Sequence, residues 1–356
     1  MKIKLLKANK GDCFLISYKD ELDYNRNILI DSGTVETYYD GATNTYGDLK
    51  TEIDAIKTRK ECIDLLILTH IDNDHICGLL KWLEIDEDAY KIIRNIWFNS
   101  GKLIADYFNS TENVDLQVGL HIFRTPETGV TEAVKFEDYL IDKKIWDKKI
   151  VINSQEITQN GTKIQVLSPS ESQLKKLLSE YRLKTKDPAY TAGKEKDWAI
   201  DLDTFITEEE SKKYKFVQDK SIKNASSIAF ILTIDNKKFL FLGDSHPNSL
   251  IKSLKKMGVS KEIPLEVEFF KVSHHGSKFN TNKELLELVK TDNYIISTDS
   301  SGDNHPNKRT LSRIIKNNPN AIIHFNYQHV KESIISDKDF SDYTKFKIKV
   351  TTEFNF

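Results

Sequence analysis

The chain has 356 residues, 39% hydrophobic and 30% charged, with 52 Lys plus Arg against 54 Asp plus Glu and a net charge of −2. This is a globular composition, long enough to bury a substantial core, and its balanced charge excludes a global pull toward nucleic acid or an anionic membrane. Cys13, Cys62 and Cys77 are too few and too irregularly spaced for a disulfide framework and fit free thiols. With no signal-peptide core and no apolar run near the ~20 residues of a membrane span, a cytoplasmic protein is expected.

Short apolar or alternating runs at 2–8, 13–18 and 26–31 predict strands, separated by polar turns. A polar helix is predicted over 49–60. The run Ile63-Asp64-Leu65-Leu66-Ile67-Leu68 has the length of a buried strand, and a helix is predicted from His75 to about Glu84. In the middle of the chain, strands are predicted at 91–98, 148–153 and 162–167, and helices near 101–109, 131–141 and 171–182. Residues 183–223 are polar without a period and read as a flexible insertion or a surface excursion. From 226 onward strands are predicted at 227–234, 238–243, 266–273, 293–298 and 320–325, with helices at 247–257, 281–290 and 308–317. Strands alternating with helices predict a layered α/β fold, in which ligand sites gather just beyond strand ends.

Four segments carry chemistry. In His70-Ile71-Asp72-Asn73-Asp74-His75, four ligand-type side chains lie within six residues, directly after the buried strand. In an extended segment His70 and Asp72 share one side, and a turn presents Asp74 and His75 to a neighbouring point. One loop can then feed two adjacent cations. Paired cations activate water and stabilise a departing oxygen. Asp244 follows Gly243 at the end of an apolar strand, where a carboxylate can approach and bridge two ions. His274-His275-Gly276-Ser277 also follows a strand and suits ligation plus a supporting or substrate role. His305, in Asp303-Asn304-His305-Pro306, reads equally as structural or functional.

Together and in this order, these segments resemble the metallo-β-lactamase superfamily, and within it the branch typified by the hydrolase domain of ComEC DNA-uptake proteins. The resemblance rests also on Gly11-Asp12 to Ile16, on Asp31-Ser32-Gly33 and on Asn224-Ala225-Ser226-Ser227-Ile228. It covers residues 1–83 and about 222–325. It implies a four-layer αββα sandwich: a single domain over 1–356, elaborated by an insertion at 85–223. It further implies that His70 and Asp72 bind one metal, that Asp74 and His75 serve a second, and that Asp244 bridges them. His275, or His274 in its place, is a further ligand. Asp31 orients the metal loop, Asn224, Ser226 and Ser277 line the site, and His305 contacts substrate or assists protonation.

This chain departs from the family pattern in two places. Asp72 stands where the usual loop has a His, and no His lies between 122 and 245, where the family has a ligand about twenty residues before the bridging Asp. Both changes replace nitrogen with oxygen ligands and move preference toward Mn²⁺, with Zn²⁺ still suitable. The expected activity is hydrolysis of phosphate esters, phosphodiesterase or nuclease-like, on a nucleic acid or nucleotide, with two divalent ions and Asp74 as a proton acceptor. Lys271, Lys278, Lys308 and Arg309 are candidate phosphate contacts. Two alternatives are a carbonyl hydrolase acting on a thioester, lactone or β-lactam, and a non-catalytic metal-stabilised module whose middle segment binds a protein partner.

Overall fold

The computed structural model describes residues 1–109, 129–182, 196–211, 214–302 and 304–356. Strand Leu65–Ile67 is buried along its whole length, and the alternation of its side chains sets the architecture. Leu65 and Ile67 point into one apolar cluster with Phe14, Ile16, Ile28 and Ile30. Leu66 and Leu68 point the opposite way, into a second cluster with Leu15 and Leu29. A sheet apolar on both faces must be covered on both.

On one face the cover is a second sheet. Val166, Phe230, Leu232, Phe239, Phe241 and Phe269 from that sheet complete the first cluster, with the Phe14 and Phe241 rings edge-on at 5.5 Å. On the other face the cover is helical, with Ile53 and Ile56, Leu79 and Trp82, Phe136 and Leu140, and Leu174 and Leu177. The second sheet turns its outer face, including Ile231, Leu240, Phe270 and Ile323, onto helices Pro247–Lys256 and Lys308–Asn317. Helix, sheet, sheet and helix make the four-layer αββα sandwich.

Among the described residues the first sheet runs Glu353–Asn355, Lys2–Leu5, Phe14–Lys19, Asn25–Ile30, Leu65–Ile67, Ile96–Trp97. The second runs Lys347–Val350, Ile322–Phe325, Asn293–Ile296, Phe269–Lys271, Lys237–Phe241, Ala229–Ile234, Thr162–Ser168, Glu156–Gln159. Strands Asn25–Ile30 and Leu65–Ile67 are parallel, as are Lys237–Phe241, Phe269–Lys271 and Asn293–Ile296. Their carboxyl ends therefore fall along common edges, and the loops that leave them meet across the top of the sandwich.

Several elements differ from the expectation. Residues 91–98 divide into a 3₁₀ turn, Ala89–Ile92, and the short strand Ile96–Trp97. Residues 148–153 form no strand; Asn99 pairs instead with the backbone of Val151 through both ends of its amide. The run 266–273 is broken into Leu265–Glu266 and Phe269–Lys271, which join different sheets. The middle of the chain also contributes directly to the sandwich: Thr162–Ser168 is an inner strand of the larger sheet, and helix Gly129–Lys143 packs on helix Asn73–Ile85.

Candidate metal centre

The loop after Leu65–Ile67 is held from below by Asp31. Its backbone has a φ of 54°, a left-handed conformation costly for a residue with a Cβ. One Asp31 oxygen accepts the Thr69 N–H at 2.7 Å; the other accepts the Thr69 hydroxyl at 2.7 Å and faces His75 Nδ1 at 2.8 Å. This leaves His75 Nε2 pointing forward. Asp72 occupies the cap position of helix Asn73–Ile85 but makes no capping bond with its side chain. Its Oδ2 lies 3.7 Å from His70 Nε2, and its Oδ1 lies 3.1 Å from Lys223 Nζ.

Two glycines permit this packing. A Cβ on Gly11 would meet the Asp74 carbonyl oxygen at 1.8 Å, and one on Gly78 would meet the Ser32 carbonyl oxygen at 2.0 Å. Gly11 thus lets the Asp12 loop rest on the Asp74 backbone. Gly78 lets the helix that follows the metal loop close onto the turn after Asp31.

Asp244, delivered by strand Lys237–Phe241, is the hub. Its Oδ2 lies 3.6 Å from His75 Nε2 and 3.7 Å from both His70 Nε2 and His274 Nε2; its Oδ1 lies 3.8 Å from His275 Nε2. Asp74 Oδ2 lies 3.6 Å from His275 Nε2. The two histidines are presented by a left-handed turn, with φ of 49° at His274 and 50° at His275. Such strain in consecutive non-glycine residues persists only where the surroundings impose it, and it is concentrated at functional sites. His275 Nδ1 is anchored 2.9 Å from the Ser297 carbonyl, and His274 Nδ1 is 3.0 Å from Asn280 Oδ1.

The electrostatics follow from carboxylates and imidazoles crowded into one buried space. Burial opposes charge on Asp244, yet the surrounding histidines hold its carboxyl well below the usual range. Burial likewise opposes charge on His75, but Asp244 and Asp31 push it well above its usual value. Against the same opposition, His274 rises to about 9 beside Asp244 and Asp219, and His275 to about 10 beside Asp12 and Asp244. His305 goes the other way: burial, then the charge of His274 and His275, holds it well below its usual value. Its ring stands 4.7 Å from that of His274, and neither ring nitrogen has a hydrogen-bond partner.

His70 Nε2, His75 Nε2, His275 Nε2, Asp244 Oδ1 and Asp12 Oδ1 are all buried without a hydrogen-bond partner. Leaving a buried polar atom unpaired costs about 1–3 kcal/mol. Several such atoms converging on one point form a donor set for a cation, and the mixture of carboxylate oxygen and imidazole nitrogen suits a divalent metal. Among the described residues, Asp12, His75, Asp244 and His275 bring ligand atoms within 4.8 Å of one another.

The structure thus brings together His70, Asp72, Asp74, His75, Asp244, His274 and His275, with Asp31 beneath and His305 beside them. Asn224 is close by: its amide nitrogen donates to Asp219 at 2.8 Å, and its Oδ1 is buried and unpartnered. Two residues expected to line the site use their hydroxyls locally instead. Ser226 donates to the Lys223 carbonyl at 2.6 Å, and Ser277 accepts the Phe279 N–H at 3.3 Å, each closing its own turn. Asp303 lies outside the described residues. The expected phosphate contacts are also corrected, because most are neutralised by carboxylates. Lys271 is buried against Asp12 and Lys308 against Asp339, and Arg309 pairs with Glu208 nearer the surface; Lys278 lies over the Phe279 ring at 5.2 Å.

Three residues were not singled out from the sequence. Asp12 was visible as part of Gly11-Asp12 but carried no role. Lys223 and Asp219 lie in the polar stretch read as an insertion or surface excursion. Asp219 is in fact buried; it accepts from Asn224 and from Asn280 (3.1 Å) and stands 3.5 Å from His274 Nδ1 and from His246 Nε2. A buried carboxylate in a lysine-rich segment leaves no periodic signal.

Residues 9–300 match the family model described as Metallo-beta-lactamase superfamily. No curated protein matches the chain. Among solved structures it is similar to the metallo-beta-lactamase fold protein YhfI from Bacillus subtilis, at 11% identity over 99% of this chain and 98% of that one, with a TM-score of 0.41. It is also similar to a mutant of the CmlA beta-hydroxylase, at 11% identity over 99% of this chain and 53% of that one, with a TM-score of 0.38; the chain spans about half the length of that protein. With a family match over most of its length and the sandwich it folds into, the chain belongs to the metallo-beta-lactamase superfamily.

Proposed function

We propose that this chain is a metal-dependent hydrolase of phosphate esters, a phosphodiesterase or nuclease-like enzyme of the ComEC-type branch. The observation that carries the reading is the convergence of buried, unpartnered His and Asp atoms around Asp244. His70, Asp72, Asp74, His75, Asp244, His275 and His274 would hold the metal, and Asp12 joins them. Divalent cations held there, Zn²⁺ or Mn²⁺, supply Lewis acidity and lower the pKa of nearby water.

The chain's own groups do the rest. Asp31 fixes the tautomer and direction of His75, and the Ser297 carbonyl does the same for His275. Asp74, held ionised by His275 and His75 against its burial, orients water through its carboxylate. His305 is kept neutral and unpartnered, so it can accept a hydrogen bond or a proton from substrate. Cys77 takes no part as a nucleophile, since burial pushes its thiol up to about 12. The carboxylates of the donor set favour hard cations and the phosphoryl oxygens they polarise.

The test is an assay of bis-p-nitrophenyl phosphate, a thioester and nitrocefin with Mn²⁺ or Zn²⁺. Phosphodiester turnover that disappears on chelation and in Asp74→Ala is expected. Turnover of only the carbonyl substrates would replace the phosphate-ester reading. Metal-free protein without turnover would leave a binding module.

A further inference from the structure

The two sides of the centre are built differently. On one side Asp12, His75, Asp244 and His275 converge, with Asp74 facing His275. Asp12 is neutralised by Lys271, but among the described residues the ion-pair partners of Asp74 and Asp244 are imidazoles. On the other side stand His70 and Asp72, which share Asp244 through His70. There the Asp72 carboxylate is divided, with one oxygen toward His70 and the other on the Lys223 ammonium.

Lys223 is firmly placed. It lies on the short helix Ile222–Ala225, whose start is capped by the Ser221 hydroxyl and whose Lys223 carbonyl is held by Ser226. Directly after it, Ile228 donates to the Thr69 carbonyl at 2.8 Å, tying this segment to the root of the metal loop. The Lys223 side chain is 14% exposed, so its charge acts with little screening by solvent.

We infer that the centre is asymmetric by construction: the Asp12, Asp74, His75, His275 and Asp244 side holds one divalent ion tightly, and the Lys223 ammonium keeps the His70 and Asp72 side a weak, exchangeable position. The inference rests on the metal-dependent reading above. A cation at His70 and Asp72 shares Asp244 Oδ2 with the other side, where His274 Nε2 also faces that oxygen, and it sits beside a fixed positive charge. Even at the dielectric constant of water, a unit charge a few Å from a divalent ion weakens binding on the order of tenfold.

The experiment is calorimetric titration of the metal-stripped full chain with Mn²⁺ alone, with metal content measured after dialysis. The wild type is expected to retain one equivalent and to take a second at least about tenfold more weakly. Lys223→Met is expected to tighten the second step about tenfold and leave the first unchanged, whereas Lys223→Arg, which keeps the charge, behaves as wild type. Circular dichroism of each variant separates a change in affinity from misfolding. Two equivalents of equal affinity in the wild type overturn the inference, and so does a second step that is unchanged or weaker in a folded Lys223→Met. Absence of any bound ion in the wild type would instead remove the metal-dependent reading itself.

Discussion

Two buried polar clusters in this molecule have opposite bookkeeping. Around Lys308 and Asp339 each charged group is answered within the chain. The Lys308 ammonium meets Asp339 and the Trp198 carbonyl, while Asp339 accepts from the Leu202 and Ser336 backbones and the Ser336 hydroxyl. Around Asp244, ring nitrogens of His70, His75 and His275 face inward with no donor or acceptor to meet them. The first cluster is satisfied within the chain; the second leaves ligand-type atoms that no group of the chain meets among the described residues. Buried His324 gives the same lesson, because both its nitrogens are partnered, by Thr351 at 2.8 Å and Asn293 at 3.0 Å. A buried histidine is a functional candidate when one of its nitrogens is left over.

The largest expected effect tests the finished cluster. Asp339→Ala strands the buried Lys308 charge and should destabilise the fold by about 3–5 kcal/mol, read by denaturant melts, while metal content per folded molecule stays constant. Loss of metal along with stability would erase the distinction between the clusters.

Asp244→Asn tests the unfinished cluster. Outer-sphere changes at metal sites cost roughly 10–100-fold, so losing the shared carboxylate should lower metal affinity and turnover by at least about 100-fold. The apo chain should also lose stability at neutral pH, because the histidines hold Asp244 ionised and its loss leaves them without that counter-charge. A folded variant that binds metal normally would break the comparison.

Asp219→Asn acts one step back. Asp219 faces His274 Nδ1 without reaching Asp244, so the expected loss is the milder one of about 10-fold in metal affinity, measured by competition with a chelator.

The smallest effect is a pH dependence. Burial, then the nearby Lys349, lowers His324 from its usual 6.5 to about 4. Between those values the unfolded chain takes up a proton that the folded chain refuses. Stability from this group is therefore complete above about pH 6.5 and is lost as pH falls toward 4. His324→Gln should flatten that slope by about 1–2 kcal/mol, a figure reduced for partial solvent screening.

Much of this was legible in the sequence. The run Leu65-Leu66-Ile67-Leu68 declared a strand buried on both faces, and two-sided burial calls for a layered fold. Ligand-type residues at 70–75, 244 and 274–275 each follow an apolar strand, and layered α/β folds gather their sites just beyond strand ends. Lys271 and Lys308 could not be read this way. A lysine has the same appearance whether it meets substrate or a buried carboxylate, and their partners Asp12 and Asp339 lie far away in the chain. Residues 148–153 had a strand's apolar pattern, but the tertiary partner was an asparagine side chain rather than a neighbouring strand.

The sequence by itself determined a layered α/β fold, its buried strands and the loops that carry ligand-type residues, since these follow from local periodicity and from residue types clustered within a few positions; the four-layer arrangement was implied by the family resemblance. The tertiary structure alone decided which charges are neutralised, that Asp12 stands at the centre with Asp219 behind His274, and that Lys223 sits on Asp72. Those outcomes depend on distances between segments separated by tens to hundreds of residues, and Coulomb energy and hydrogen bonding respond to distance in space rather than along the chain.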